Sequence, residues 1–303
     1  MKLFLASPHT LLRFKQGFET YQELLRSDNM KLFLAGANGK DKIIPFVHGK
    51  KEQDMKLYMA ENVMGLKSEV VFEDTVKKWK PFILESFYYA DEKTENLLKY
   101  FGDFMLDSGA FTFMQNSKSH LDWEEYLERY ADFVKRNKVQ KFFELDIDSV
   151  VGYNQVKKYR RKLERLTGRQ VIPVWHKSRG KEEFVRMCKE YDYVALGGIV
   201  AKEIKTDEWK YFPWFINTAH EHECKIHGLG FTSLQSLNVY KFDSVDSTAW
   251  TSGNRFGFVY HFNGKTMVKT DCPKGKRLAD SKKVALNNYI EWIKFQKYAE
   301  ENL

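Results

Sequence analysis

No stretch of the 303-residue sequence approaches the roughly 18 consecutive apolar residues that a membrane-spanning helix needs. The opening "MKLFLASPHTLL" lacks a sustained apolar core followed by a small-residue cleavage site, so no secretory signal is expected. Cysteine is scarce: Cys188, Cys224 and Cys272 are odd in number and widely scattered. That argues against a disulfide framework and a cysteine-rich zinc knuckle, and it suits a reducing cytoplasm. The motifs that mark common nucleotide and metal sites are missing too. There is no GxGxxG after the first apolar run, no GxxxxGKS/T, no HExxH and no CxxC.

What is present is a globular composition, 43% hydrophobic and 30% charged, in a chain long enough for one large core or two ordinary ones. The balance of 49 Lys and Arg against 41 Asp and Glu gives a net charge of +8. A basic surface is compatible with nucleic acid, although many basic proteins bind none. Aromatic residues reach 16%, and such rings fill cores far more often than they stack on bases.

One hexapeptide recurs. "MKLFLA" stands at 1–6 and at 30–35, and "MKLYMA" at 55–60, with nothing shared between the copies. They read as three short strand-like segments rather than as an array of repeats. From residue 30 onward, short apolar runs alternate with amphipathic stretches: 31–36, 82–89, 104–111, 141–148, 171–176, 193–199, 225–231 and 239–246. In "WEEYLERYADFVKRN", Tyr126, Tyr130, Phe133 and Val134 recur at helical spacing. Strands alternating with helices imply a parallel sheet with right-handed crossovers. Eight such units point to an α/β fold, a (β/α)8 TIM-type barrel, with an open doubly wound sheet as the rival. The expected organisation is an N-terminal addition at 1–29 and a single barrel domain over 30–303. Within that domain, about 40–78 reads as an insertion after the first strand and about 279–303 as a helical tail.

The runs tend to end in polar residues, where a barrel carries its active site. Asp107, Asp146 with Asp148, Asp243 with Asp246, and Glu203 just past a strand are the carboxylates so placed. Carboxylates that converge in one pocket shift each other's pKa, so that one stays ionised while another carries a proton. A magnesium site or a glycosidase would use the same set. A single strand-end aspartate, by contrast, is commonly a helix cap. Ser108 follows Asp107 in "LDSGAFT", and Gly197, Gly198 and Gly228 in "ALGGIV" and "HGLGF" would let a planar ligand approach the backbone. Tight turns explain such glycines equally well. His176 and His227 also fall at strand ends.

In order and approximate spacing, "LDSGAF", "ALGGIVAKE", "IHGLG" and "KFDSVDS" resemble the queuine/archaeosine tRNA-guanine transglycosylases. The chain looks most like their compact DNA-modifying relatives, the DpdA-type 7-deazaguanine transglycosylases of phages and genomic islands. The resemblance covers about residues 30–260. It implies a pentosyltransferase in which Asp243 attacks C1′ of a guanosine and Asp107 acts as general acid and base. It further implies that Phe111 stacks on the base, and that Gly197, Gly198 and Glu203 help to recognise it. Asp146, with Asp148 in reserve, would read the base's N–H edge. Ser108, His176, His227 and Gly228 complete the implied base pocket. By strand alternation from Asp243, Asp246 faces the other way and reads as a cap or backbone orienter. A free 7-deazaguanine such as preQ0 is the implied second substrate, DNA the implied polymer, and no metal or other cofactor is implied.

Departures from the family pattern bear on the polymer. The CxCxxC…H zinc site of the tRNA enzymes is represented only by Cys272, and "DSTAWTSGNRFG" replaces their "PTRxxRNG", with Asn254 and Arg255 reminiscent of it. No appended tRNA-binding domain is expected, and His227 stands where the family often has Met. The target guanosine in duplex DNA must be flipped or already unpaired, so a helper protein that opens the duplex is a possible partner. Lys177, Arg179, Trp250, Asn254 and Arg255 are the candidate nucleic-acid contacts, with basic segments at 157–169, 176–181 and 274–277. The readings left beside this one are a tRNA-guanine transglycosylase, a carboxylate-dependent glycosidase or metal-dependent hydrolase, and a non-catalytic nucleic-acid-binding barrel.

Overall fold

The computed structural model describes residues 2–5, 31–34, 55–60, 70–110, 112, 122–231, 233–271 and 281–303. Of 2–5, 31–34, 70, 71, 254, 255 and 281 the backbone alone is described. The chain divides into two compact units, Met1–Lys50 and Lys51–Leu303.

In the first unit the two identical hexapeptides pair with each other. Strand β1 (Lys2–Leu5) runs parallel to β2 (Lys31–Leu34), with Leu3 opposite Leu32 and Phe4 opposite Phe33. All three copies of the repeat form strands, as expected, but the copy in the barrel is the third. The first barrel strand is β3 (Lys56–Ala60), not 31–36, so the break between units falls after residue 50 rather than after 29. The stretch read as an insertion at 40–78 holds this strand and most of helix α1 (Val70–Trp79). Three near-identical apolar hexapeptides carry the same local pattern, and only their partners tell them apart.

The remaining barrel strands are β4 (Phe82–Ser86), β5 (Asp103–Asp107), β6 (Lys141–Phe142), β7 (Val174–Trp175), β8 (Tyr193–Leu196), β9 (Lys225–Gly228) and β10 (Ser244–Ser247). They form one parallel eight-stranded sheet in the order β6-β5-β4-β3-β10-β9-β8-β7. A parallel bridge between Phe143 and Ile172 joins its two ends, with Glu144 N–H donating to the Ile172 carbonyl at 3.0 Å. The sheet therefore closes on itself, as a (β/α)8 barrel requires.

Helices α2 (Trp123–Arg136), α3 (Tyr153–Thr167), α4 (Lys181–Glu190) and α5 (Phe212–Glu221) occupy later crossovers. Helix α2 forms where its periodicity predicts it. Asp122 caps its N-terminus by accepting from Glu124 N–H at 2.9 Å, and Tyr126, Tyr130, Phe133 and Val134 are all buried. Between β9 and β10 the chain makes turns instead of a helix. A hairpin of β11 (Phe258–Phe262) and β12 (Met267–Asp271) precedes helix α6 (Ser281–Asn302). That helix matches the expected tail; the hairpin had no sequence signal. Gln296 of α6 bridges the first two barrel strands, accepting from Phe82 N–H at 2.8 Å and donating to the carbonyls of Leu57 and Phe82.

Side-chain alternation sorts each strand into an inner and an outer face. Tyr58, Ala60, Leu84, Met105, Phe143, Val174 and Ala195 pack together inside the barrel, whereas Leu106 and Phe142 pack outward with α2 and α3. The inner parity of β5 places Asp103 and Asp107 within the barrel at its two ends. Asp103 is tied there to Tyr58 and Lys56, each at 2.8 Å, and to Lys141.

Candidate active site

Asp107 is the last residue of β5, at the C-terminal mouth of the barrel. Gly109 N–H donates to it at 2.9 Å, and Gly109 holds φ +70° with Ser86 and Tyr88 packed so close that a β-carbon would clash. Burial, helped by the neighbouring carboxylates Asp146 and Asp246, pushes the Asp107 carboxyl up to about 6 against the lowering pull of Gly109 N–H. Three carboxylates from β5, from the segment after β6 and from β10 thus share one electrostatic neighbourhood.

Asp146 accepts from or shares a proton with His176 Nε2 at 2.7 Å and meets Arg179 Nη2 at 3.3 Å. Burial raises the Asp146 carboxyl, and the two cations partly offset it. The other ring nitrogen of His176 lies 3.1 Å from Glu203. Burial alone would lower the imidazole; its contacts with Asp146 and Glu203 outweigh this and hold it at about 9. Gly197 and Gly198 fit around this pair. A β-carbon on Gly197 would stand 2.8 Å from Val174 and 3.0 Å from the His176 ring, and Gly198, at φ +77°, packs on Glu203. Asp148 is set apart, since Arg179 Nε donates to it at 3.0 Å and holds its carboxyl low against the effect of burial.

Asp246 is buried on the inner face of β10. Its Oδ1 meets His227 Nε2 at 3.1 Å and accepts Gly230 N–H at 2.5 Å. Gly228 ends β9, packed under Phe231 and Val245.

Asp243 is not in this site. Strand β10 begins at Ser244, not at 239, so Asp243 lies at the strand's N-terminal end. Ser244 and Asp246 both contact His227 inside the barrel, which turns Asp243 outward. There it accepts Ile226 N–H at 2.7 Å and meets His220 of α5 at 3.0 Å. The two aspartates do face opposite ways, as alternation predicts, but the inward one is Asp246.

Two proposed nucleic-acid contacts are internal. Arg179 has a side chain 1% exposed and spends its guanidinium on Glu144, Asp146 and Asp148. Trp250 is buried, donating to the Ala60 carbonyl at 2.8 Å and packing on Tyr289. Lys177 is 56% exposed but paired with Glu208 at 2.5 Å. In the basic segment 157–169, Arg160 turns inward to Glu144 and Lys162 pairs with Glu128 at 2.8 Å. Ser108 is buried, its carbonyl accepting from Tyr126 at 2.6 Å. Phe111 and 274–277 lie outside the described residues, as do the side chains of Asn254 and Arg255.

Two residues were missed. Glu144, fully buried, accepts Arg160 Nε, Arg179 Nη1 and Val174 N–H, each between 2.7 and 2.8 Å, and so anchors the guanidinium that steadies Asp146. A carboxylate in an otherwise apolar "KFFEL" was its signal. The Ser86 hydroxyl, one strand from Asp107, is buried without a hydrogen-bond partner among the described residues. Among the described residues no group of three or more His, Cys, Asp or Glu side chains is arranged to hold a metal ion, and no helix is long and apolar enough to cross a membrane.

No family model matches the chain, and no curated protein matches it. Among solved structures it is similar to one described as "QR15, an Aldolase", with 14% sequence identity and a TM-score of 0.45 over 66% of this chain and 93% of that one. The barrel assignment rests on strand order and the closing bridge.

Proposed function

We propose that this barrel is a nucleic-acid guanine transglycosylase acting on DNA, with Asp246 as nucleophile and Asp107 as general acid and base. The observation that supports it is a pair of inward carboxylates at one mouth in different environments. Asp107 is pushed up to about 6, while Asp246 has one oxygen fixed by Gly230 N–H and His227. Cleaving an N-glycosidic bond calls for that division of labour: an anion beneath C1′ and a proton donor at the departing base.

The steps balance without a redox partner. The Asp246 carboxylate forms a bond to C1′ as the C1′–N9 bond breaks, the electron pair leaves on N9, and protonated Asp107 returns a proton to guanine. Asp107, now ionised, takes the N9 proton of an incoming 7-deazaguanine, whose N9 displaces the Asp246 ester from C1′. Gly197, Gly198 and Glu203, with His176 and Asp146, offer backbone and side-chain groups to the edge of a planar base. The "KFDSVDS" motif holds two aspartates, and the role carried by the family resemblance passes to the second. DNA as the polymer rests on the resemblance to the DNA-modifying branch.

The test is incorporation of labelled guanine and preQ0 into duplex DNA, single-stranded DNA and bulk tRNA by wild type, Asp246→Asn and Asp243→Asn. Label should enter DNA with wild type and Asp243→Asn but not with Asp246→Asn. Label in tRNA alone would move the substrate; label in no polymer would overturn the reading.

A further inference from the structure

A chain of hydrogen bonds crosses the barrel interior and ends on Asp246. Tyr193, the first residue of β8, meets Ser244 Oγ through its hydroxyl; Ser244 Oγ meets His227 Nδ1; His227 Nε2 lies 3.1 Å from Asp246 Oδ1. His227 is fully buried, with the rings of Tyr58 and Phe143 at 6.1 and 5.5 Å.

We propose that Tyr193, Ser244 and His227 form a one-way hydrogen-bond relay, in which His227 is a positioning residue that presents Asp246 for reaction. The inference rests on Asp246 being the reacting carboxylate. Its direction follows from which groups can give a proton. Ionised Asp246 only accepts, and its Oδ1 already takes Gly230 N–H, so His227 Nε2 carries a hydrogen toward it. In a neutral ring Nδ1 is then an acceptor, and the Ser244 hydroxyl donates to it. Ser244 oxygen in turn accepts from Tyr193, whose phenol burial pushes upward and so keeps protonated. Tyr193 gives a hydrogen, and Ser244 and His227 each take one and give one, which selects the Nε2–H tautomer.

The consequence for Asp246 is geometric. Two donors, one backbone and one imidazole, fix Oδ1, and Oδ2 accepts nothing among the described residues. A carboxylate pinned by one oxygen presents the other in a single orientation, the preorganisation a displacement at carbon requires.

Two measurements test the relay. The first is 15N NMR of histidine-labelled protein between pH 6 and 8, with His227 assigned by its loss in His227→Gln. A neutral Nε2–H ring is expected in wild type and in Ser244→Ala alike, with the Nδ1 resonance displaced in the variant because that nitrogen loses the hydroxyl's hydrogen. The second is base-exchange kinetics. Ser244→Ala should lower kcat roughly 10- to 100-fold with KM unchanged, because the ring that holds Asp246 loses the hydrogen bond that fixes it from behind. Tyr193→Phe should act in the same direction more weakly. His227→Gln, whose amide can still donate to Asp246, should retain more activity than His227→Leu. An Nδ1–H ring or an imidazolium in wild type would overturn the relay, as would a folded Ser244→Ala with wild-type kcat. An Nε2–H ring in a wild type that exchanges no base would leave the relay standing and remove the function assigned to Asp246.

Discussion

Asp243 and Asp246 stand on opposite sides of the barrel wall, the first 3.0 Å from His220 outside and the second 3.1 Å from His227 within. They lie three positions apart, an odd offset, so a strand cannot turn both inward. Whichever shares the interior with Asp107 is available to chemistry at the mouth, and the other serves the wall.

The two substitutions should therefore separate cleanly. Asp246→Asn is expected to abolish base exchange with little change in melting temperature. Asp243→Ala strands the Ile226 N–H it now accepts at 2.7 Å and should cost about 1–3 kcal/mol of stability. Its turnover per folded molecule should stay near wild type. Urea unfolding beside single-turnover exchange reads both; loss of exchange in the Asp243 variant alone would reverse the assignment.

Asp107 carries a pH signature. A folded-state value of about 6, against 3.8 ordinarily, means that the native state holds this proton more tightly than the unfolded chain. Stability from this group is complete below about pH 4 and falls away as pH rises toward 6. Asp107→Asn has no carboxylate to ionise there. It should match wild type near pH 4 and be more stable at pH 7.5 by about 1 kcal/mol, allowing for partial exposure. Its exchange rate should drop roughly 100-fold or more. Unfolding free energies at the two pH values check the sign, and an advantage for wild type at pH 7.5 would contradict it.

Most of the architecture was legible because barrel strands read as apolar runs ending in polar residues, and seven of the eight runs hold barrel strands. The first went astray because residues 30–35 and 55–60 are nearly the same hexapeptide, and a local pattern carries no information about which copy finds barrel partners. The site went astray at one boundary. "VYKFDSVD" looks like a strand from Val239, but the chain turns and bends through Tyr240, and the strand starts only at Ser244. That shift moves Asp243 from a strand's end to its beginning. Arg179 and Trp250 misled for a different reason: a basic or aromatic residue in a loop looks exposed in sequence, and only the fold reveals the carboxylates or the carbonyl that take it inside.

His176 gives the opposite pH signature to a histidine that is simply buried. Its folded-state value of about 9 exceeds the ordinary 6.5 because Asp146 and Glu203 outweigh burial. The stability it contributes is fully present below about pH 6.5 and is lost as pH rises through 9. His176→Gln should therefore melt well below wild type at pH 6, and the gap should close by pH 9.5. Melting curves across that range decide it, since a gap independent of pH would mean that the ring packs without holding a charge.

Arg179 separates a phosphate contact from an internal clamp. Its guanidinium donates to Glu144 at 2.7 Å, Asp148 at 3.0 Å and Asp146 at 3.3 Å, so its charge is already spent among buried carboxylates. Arg179→Met leaves Asp148 without its cation, and Glu144 and Asp146 with only Arg160 and His176, and should cost about 3–5 kcal/mol. Arg179→Lys keeps the charge but cannot reach three partners with a planar fork, and it should lie between. A phosphate-binding arginine would behave differently, losing about one unit from the salt dependence of DNA affinity with stability untouched. The expectation here is a lowered melting temperature, an unchanged salt slope for the molecules that remain folded, and slower exchange as Asp146 and His176 lose their support. A reduced slope in a variant of wild-type stability would return Arg179 to the nucleic-acid surface and leave Glu144 unexplained.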